Sequence, residues 1–384
     1  MRLFIVIAVL SLLIVGGISQ LPRLAESATN TVLEQSWVAP NTAQKRLKQL
    51  QVADLHADTM LWERDLLTRS SYGHVDLPRL QDSNVALQVF AAVTKVPKGQ
   101  NYQANDSSSD NLHWLVRAQL WPTATWDSLF ERAQYQLDKL KAFADASNGQ
   151  LRLIRKGSDV DELLADRSKG INATGAVFAI EGAHPLEGKL ENLDILHQKG
   201  LRIIGLTHFF DNELGGSLHG QSNAGLTEFG YSVVARARQL GLIVDLAHAS
   251  PQMVEDVLAL PSMPLIISHG GIQSVCDKGR NLDDAVMQRF AAKGGLLGVG
   301  YWDAAICEVS PAGIAKAIRA GINLMGLEHI ALGSDYDGGI EAPFDTSQLA
   351  LIVDAMQQQQ FSPAEIEAVM GKNTLKFLTK HLPN

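Results

Sequence analysis

Three apolar runs in this chain stop on a histidine. "PLIISHGGIQ" ends its apolar stretch on His269, "GLIVDLAHAS" on His248 and "LRIIGLTHFF" on His208. A lone histidine at the end of a buried strand is ordinarily a core residue with one satisfied hydrogen bond. Here the pattern recurs with carboxylates. "DLHADTM" supplies His56 and Asp58, "AIEGAH" supplies Glu181, and "ALGSDYDGG" supplies Asp335 with Asp337 beyond it. His56 and Asp58 are two apart, so a strand turns them to one side. Glu181 shares its parity with Val177 and Ala179, and Asp335 with Ala331 and Gly333. All of these ligand-type residues are expected on the parity that lines a barrel.

Imidazoles and carboxylates gathered in a dry place are costly unless something pairs with them. Metal ions remove that cost. A catalytic zinc takes about three protein ligands and keeps a position for water. The set His56, Asp58, Glu181, His248 and His269 exceeds the need of one ion and suits two that share a carboxylate. Glu181 is the natural bridge, and two Zn2+ per chain are expected.

Such a set needs a scaffold. Short strand candidates recur at Val52–His56, Val85–Thr94, Gly175–Glu181, Leu201–His208, Leu242–His248, Pro264–His269, Gly295–Tyr301 and His329–Asp335. Amphipathic stretches alternate with them, among them Leu129–Phe143, Leu190–Lys199, Gly230–Leu240, Pro251–Ala259 and Asp283–Lys293. Ser310–Gly321 carries a capping serine, a proline at the first helical position and a closing glycine. The alternation predicts an α/β fold, a (β/α)8 TIM barrel of the metal-dependent hydrolase type, with its chemistry at the C-terminal ends of the strands. The excursion Pro97–Trp126 is loop-like and then tryptophan-rich, either a lid or an interface segment. Ser362–Leu382 reads as a closing helical region.

The chain has 384 residues, 46% of them hydrophobic, which is ample for a large core. A net charge of −8 and the lack of a basic block argue against a nucleic-acid partner. Arg2 precedes an uncharged apolar run from Leu3 to Ser19. That run reads as a signal peptide or membrane anchor, cleaved or retained, so the barrel is expected to be exported, on the periplasmic or extracellular side. No cysteine follows the run, which excludes a lipoprotein anchor. The expected organisation is residues 1–19 as signal or anchor, 20–50 as linker with a short helix around Thr42–Gln51, and 51–384 as the barrel. The two cysteines, Cys276 and Cys307, lie in neighbouring loops and are either paired or two free buried thiols.

The order H-x-D, "EGAH", "LTH", "DLAH", "SH", "GRN" and "GSDYDG" resembles the membrane dipeptidase (renal dipeptidase) family of metallopeptidases, from about Val52 to Phe377. The resemblance implies zinc-dependent hydrolysis of dipeptides by a metal-bridging hydroxide. One zinc would be held by His56, Asp58 and Glu181, the other by Glu181, His248 and His269. His208 would contact substrate and the developing oxyanion, Arg280 of "KGRN" would receive the substrate carboxylate, and Asp335 would shuttle the proton. The resemblance also favours the Cys276–Cys307 pair. The alternative for Arg280 is a surface ion pair with Asp277 or Asp283. Asp337 is expected to be structural, and His184 and His219 to be solvated. Small dipeptides are the expected partners; a homodimer is left open. The segment "FFDNELGGSLHGQSNAGLT" after His208 looks like bacterial rather than mammalian members and leaves side-chain preference open.

Two rival readings stand beside this one. Another binuclear amidohydrolase acting on amides, β-lactams or lactones would commonly carry a modified lysine at the end of strand four, where this chain has "GLTHFF". A membrane-tethered, non-catalytic binding protein would be expected to lack a ligand, and none is missing.

Overall fold

The structure is a computed structural model and describes residues 20–384. Parallel strands close into a barrel: β1 Val52–Ala57, β2 Val85–Ala92, β3 Thr174–Ile180, β4 Leu201–Gly205, β5 Ile243–Asp245, β6 Leu265–Gly270, β7 Leu296–Val299 and β8 Ile330–Leu332. They are hydrogen-bonded in the order β2-β1-β8-β7-β6-β5-β4-β3, and a β2–β3 pairing closes the ring. A short extra strand, Leu151–Leu153, pairs with the start of β3. Each crossover carries its strand back to the same face of the ring, so all loops after the strands meet at one mouth.

Leu55, Val89, Val177, Ile203, Ile243, Ile266 and Ala331 pack inside the barrel, with Leu375 and Leu378 of the last helix, Asn373–His381. Each fully buried aliphatic side chain of this kind stabilises the fold by about 1.5–3 kcal/mol. Gly371, just before that helix, lies so close to the barrel that a Cβ would sit 1.9 Å from the carbonyl oxygen of Gln51. Only glycine allows the closing helix to approach so near.

The expected helix Ser310–Gly321 is longer than its sequence signals suggested. Ser310 caps it, with its Oγ accepting from Gly313 N at 2.9 Å, but it runs on to Met325. Gly321 is a packing residue: a Cβ there would meet Ile330 Cδ1 at 2.8 Å. The turn falls at Gly326, whose φ of 100° suits glycine.

The stretch 20–50 is not a free linker. A helix over residues 20–29 buries Pro22, Glu26 and Asn30 against the barrel. Thr31–Val32 then pairs in parallel with Glu341–Ala342 of the loop after β8. The apolar run at 3–19 lies outside the described residues. Among the described residues no helix is long and apolar enough to cross a membrane.

Candidate metal centre

Most of the expected strands end earlier than their apolar runs do. The chain leaves the ladder so that ligand side chains can turn across the mouth, and buried carboxylates take up the released backbone groups. Asp54 accepts from His56 N at 3.0 Å and from Ser334 N at 3.0 Å. Asp245 Oδ1 accepts from Ala247 N at 3.0 Å and from Ser268 N at 2.9 Å. His248 and Asp335 lie beyond these breaks in the left-handed region, at φ of 64° and 61°. Such residues cost of order 1 kcal/mol and gather at functional sites.

The parity expectation holds for Glu181 and Asp335, which continue the inward rows of Val177 and Ala331. It fails for His56, His208, His248 and His269, which share parity with the outward residues Val52, Ile204 and Leu206, Val244 and Leu246, and Leu265 and Ile267. Ala53, Leu55 and Ile266 are the inward residues of β1 and β6, whereas Leu265 and Ile267 pack outward. Register shifts between Asp54 and Ala57, and between Ile267 and Gly270, rotate the chain and bring the imidazoles of His56 and His269 back over the mouth.

The side chains converge on Glu181. Its Oε1 lies 3.1 Å from His248 Nε2, 3.4 Å from His269 Nε2 and 3.6 Å from His56 Nε2. Its Oε2 lies 3.4 Å from His208 Nε2. His56 Nε2 is also 3.4 Å from Asp58 Oδ1 and 3.9 Å from Asp335 Oδ1. Three groups of donor atoms lie close enough to hold an ion: His56, Glu181 and His269; Glu181, His208 and His248; and His56, Asp58 and Asp335.

Electrostatics argue that this cluster is built for cations. Burial, together with the charge of Asp58, drives the Glu181 carboxyl well above its usual range. Burial and the charge of Asp337 do the same to Asp58. Asp335 is pushed up to about 8, by burial first; the charge of Asp58 adds to this and His56 opposes it. Burial holds His208 at about 3 and drives His248 and His269 well below the usual imidazole range. Neutral imidazole is the form that binds metal. His56 Nε2 and Asp58 Oδ1 are buried with no hydrogen-bond partner. Divalent ions would satisfy those atoms and neutralise the carboxylates, so the residues fit a metal centre.

Ser268, which the motifs did not single out, orients two of the imidazoles. Its Oγ is 3.0 Å from His56 Nδ1 and 2.9 Å from His269 Nδ1. One hydroxyl oxygen can accept from both N–H groups. In that arrangement each ring would carry its proton on Nδ1, leaving both Nε2 lone pairs to face Glu181. Gly298 and Gly333 leave room beside it: a Cβ at either would come within 2.1 Å of the Ser268 carbonyl oxygen.

The mouth opens into a cavity of about 290 Å³ lined by Asp58, Glu181, His208, His248, Asp335 and Arg280, among others. Arg280 is buried and forms no surface ion pair with Asp277 or Asp283. Its Nη2 donates to the His269 carbonyl oxygen at 2.6 Å, its Nε has no partner, and its guanidinium sits 5.6 Å over the Trp302 ring. Asp283 instead caps the helix Asp284–Ala292. The excursion after β2 roofs the cavity: Tyr102 and Leu112 line it, and Tyr102 Oη accepts from Trp302 Nε1 at 2.8 Å.

His184 and His219, expected in solvent, are both buried. His219 packs on Phe209 with ring centroids 4.9 Å apart, and its Nδ1 faces the Tyr102 carbonyl oxygen at 3.2 Å. The roofing loop covers it. Asp337 is a structural hub: it accepts from Arg64 Nη2, Thr59 Oγ1 and His74 N at 2.7, 2.7 and 2.6 Å. Cys276 and Cys307 form a disulfide between the loops after β6 and β7, with Cα atoms 5.3 Å apart.

Comparison with known proteins agrees with this architecture. Dipeptidase tcpJ of Claviceps purpurea is 27% identical over 322 residues, 81% of this chain and 70% of that protein. Dipeptidase 3 of Macaca fascicularis is 27% identical over 328 residues, 79% of this chain and 63% of that one. A metallopeptidase of Rhodobacter sphaeroides, solved with a phosphinate mimic of L-Ala-D-Ala, shares the fold with a TM-score of 0.71 at 21% identity, covering 87% of this chain and 99% of that one. The probable dipeptidase PvdM of Pseudomonas aeruginosa gives 0.74 at 16% identity, covering 89% and 98%. The sequence pattern described as membrane dipeptidase, peptidase family M19, matches residues 41–381. With its barrel and converging ligand set in place, the chain is a peptide-bond hydrolase belonging to the membrane dipeptidase family, peptidase family M19.

Proposed function

We propose that this chain hydrolyses free dipeptides at a centre holding two zinc ions. The observation that carries the reading is Arg280. It is a cation buried at the edge of the metal-ligand cavity, and among the described residues no carboxylate lies within ion-pair distance of it. A buried unpaired charge is costly. A substrate carboxylate would pair with it, and the guanidinium fork matches two carboxylate oxygens. Relatives named as dipeptidases, and a fold neighbour holding a dipeptide mimic, support the same substrate class.

In this reading His56, Asp58 and Glu181 hold one ion, and Glu181, His248 and His269 the other. When bound, the ions supply Lewis acidity, which acidifies water and polarises a carbonyl. His208, kept neutral by burial, donates an N–H to the developing oxyanion. Asp335 holds the proton and delivers it to the leaving amine. Arg280 fixes the terminal carboxylate one residue from the scissile bond, so the site measures substrate length. The Cys276–Cys307 disulfide supports work in an oxidising compartment outside the cytoplasm.

The test is to strip the protein with chelator, refill it with zinc, and assay dipeptides of varied chirality. Activity on dipeptides should return and saturate near two ions per chain. Saturation at one ion would overturn the two-ion centre. Failure to cleave any dipeptide would overturn the substrate assignment.

A further inference from the structure

The family match begins at residue 41, yet the chain ahead of it is built into the mouth of the barrel. On the helix over residues 20–29 and at its end, Pro22, Glu26 and Asn30 follow an i, i+4, i+8 spacing and face inward. Glu26 pairs with Arg64 Nε, and Arg64 Nη2 binds Asp337 Oδ2 at 2.7 Å. Asn30 Oδ1 accepts from Gly339 N at 2.7 Å. Asp337 N donates to His74 Nδ1 at 3.0 Å, so His74 Nε2 carries the ring proton and donates to the Thr31 carbonyl oxygen at 2.9 Å. Thr31 N and Leu33 N donate to the carbonyl oxygens of Ile340 and Ala342. These bonds grip the loop after β8, the loop that carries Asp335.

Thr29 lies between the gripped residues and lines the same cavity as Arg280, beside Leu61, Trp62, Leu112 and Ile340. Its Oγ1 bonds to the Ala25 carbonyl oxygen at 2.9 Å, so it brings no free hydroxyl to that wall. Leu61 and Trp62 follow β1, and Leu112 belongs to the excursion after β2. In the closed ring β2 stands across from β6, whose loop carries Arg280. A dipeptide held by its carboxylate at Arg280, with its amide over Glu181, must extend its amino-terminal residue toward this opposite wall.

We propose that the segment 20–34 contributes Thr29 to the wall of the substrate cavity and that Thr29 is a specificity-determining residue facing the side chain of the substrate's amino-terminal residue. The assignment rests on the dipeptidase reading above. The substrate class it defines is dipeptides whose first side chain fits beneath Thr29 and between Trp62 and Leu112.

The experiment compares zinc-loaded Thr29→Trp with zinc-loaded wild type on two substrate series. One series varies the first residue (Gly, Ala, Leu, Phe) before a constant second residue; the other varies the second residue after a constant glycine. Thr29 is exposed on the helix, so the variant should fold; zinc content and thermal midpoint should match wild type. The kcat/KM ratio of Phe-leading to Gly-leading substrates should fall about 10-fold or more, the scale on which an apolar pocket discriminates. The second series should keep its wild-type ranking. Thr29→Gly should shift the first ratio the opposite way. If the wild type is active and Thr29→Trp lowers all substrates of both series alike, the wall assignment is overturned and the dipeptidase reading stands. If the wild type cleaves no dipeptide, both are overturned.

Discussion

His248 Nε2 and His269 Nε2 lie 2.8 Å apart, and both face Glu181 Oε1. A Ser268 Oγ that accepts from His269 Nδ1–H leaves a lone pair on Nε2. Two imidazole nitrogens and a carboxylate oxygen meeting at one point are the set proposed above to hold one ion. His248→Ala and His269→Ala should each lower metal content from about two ions per chain to about one. Elemental analysis of the purified variants checks this; a variant that retains both ions would remove that histidine from the ligand set.

Ser268→Ala tests the orientation of the rings. Without the hydroxyl, His56 and His269 lose the acceptor that fixes their tautomer. Zinc affinity should fall about 10–100-fold, the usual effect of removing a group that orients a ligand. Competition against a chelator of known affinity measures it. Unchanged affinity would show that packing alone sets the rings.

Asp335→Asn keeps shape and removes the group proposed to carry the proton. Turnover should fall on the order of 10²–10⁴-fold while metal content stays at the wild-type level. Loss of metal with unchanged activity per bound ion would make Asp335 a ligand instead.

Much of this site could be read from the chain because strand ends are local features. Apolar runs ending in His, Asp or Glu announce a barrel mouth, and the inward rows of Glu181 and Asp335 follow from simple alternation. His56, His208, His248 and His269 broke that alternation, because where a strand ends or shifts register depends on pairing with neighbouring strands. Asp54, Asp245 and Ser268 each make a local bond, but the partners that give them their roles, Ser334, Ser268 and His56, are far away in sequence, so their roles are not legible from the tetrapeptides alone. Residues 20–34 read as linker because the side chains they bury, Pro22, Glu26 and Asn30, are not an apolar stripe. Their partners, Arg64 and Gly339, are far away in sequence. His184 and His219 read as solvated for the same reason: the segments that cover them come from elsewhere.

Glu26 should leave a signature in the pH dependence of stability. Burial raises its pKa from 4.5 to about 7; Asp337 adds to the shift, and Arg64 and Lys139 oppose it. The folded state therefore holds the Glu26 proton at pH values where the unfolded chain has released it. This contribution is fully present below about 4.5 and is lost as pH rises to about 7, a span worth about 3 kcal/mol at most. In Glu26→Gln the decline in unfolding free energy across that window should be shallower than in wild type, measured by denaturant titration at several pH values. Parallel curves for the two proteins would mean that Glu26 is ionised throughout, as a plain ion pair with Arg64.

The central claim is that Arg280 binds the free carboxylate of a dipeptide beside the metal centre, and the most direct measurement is a cycle of residue against carboxylate. Wild type and Arg280→Met, both zinc-loaded, are assayed on a dipeptide and on the same dipeptide capped as an amide. Arg280→Met should cost about 2–5 kcal/mol in kcat/KM on the free dipeptide, the range for truncating one partner of a buried charge pair, and should hardly change the amide. Equal losses on both substrates would contradict the account, because Arg280 would then support its loop rather than hold the substrate.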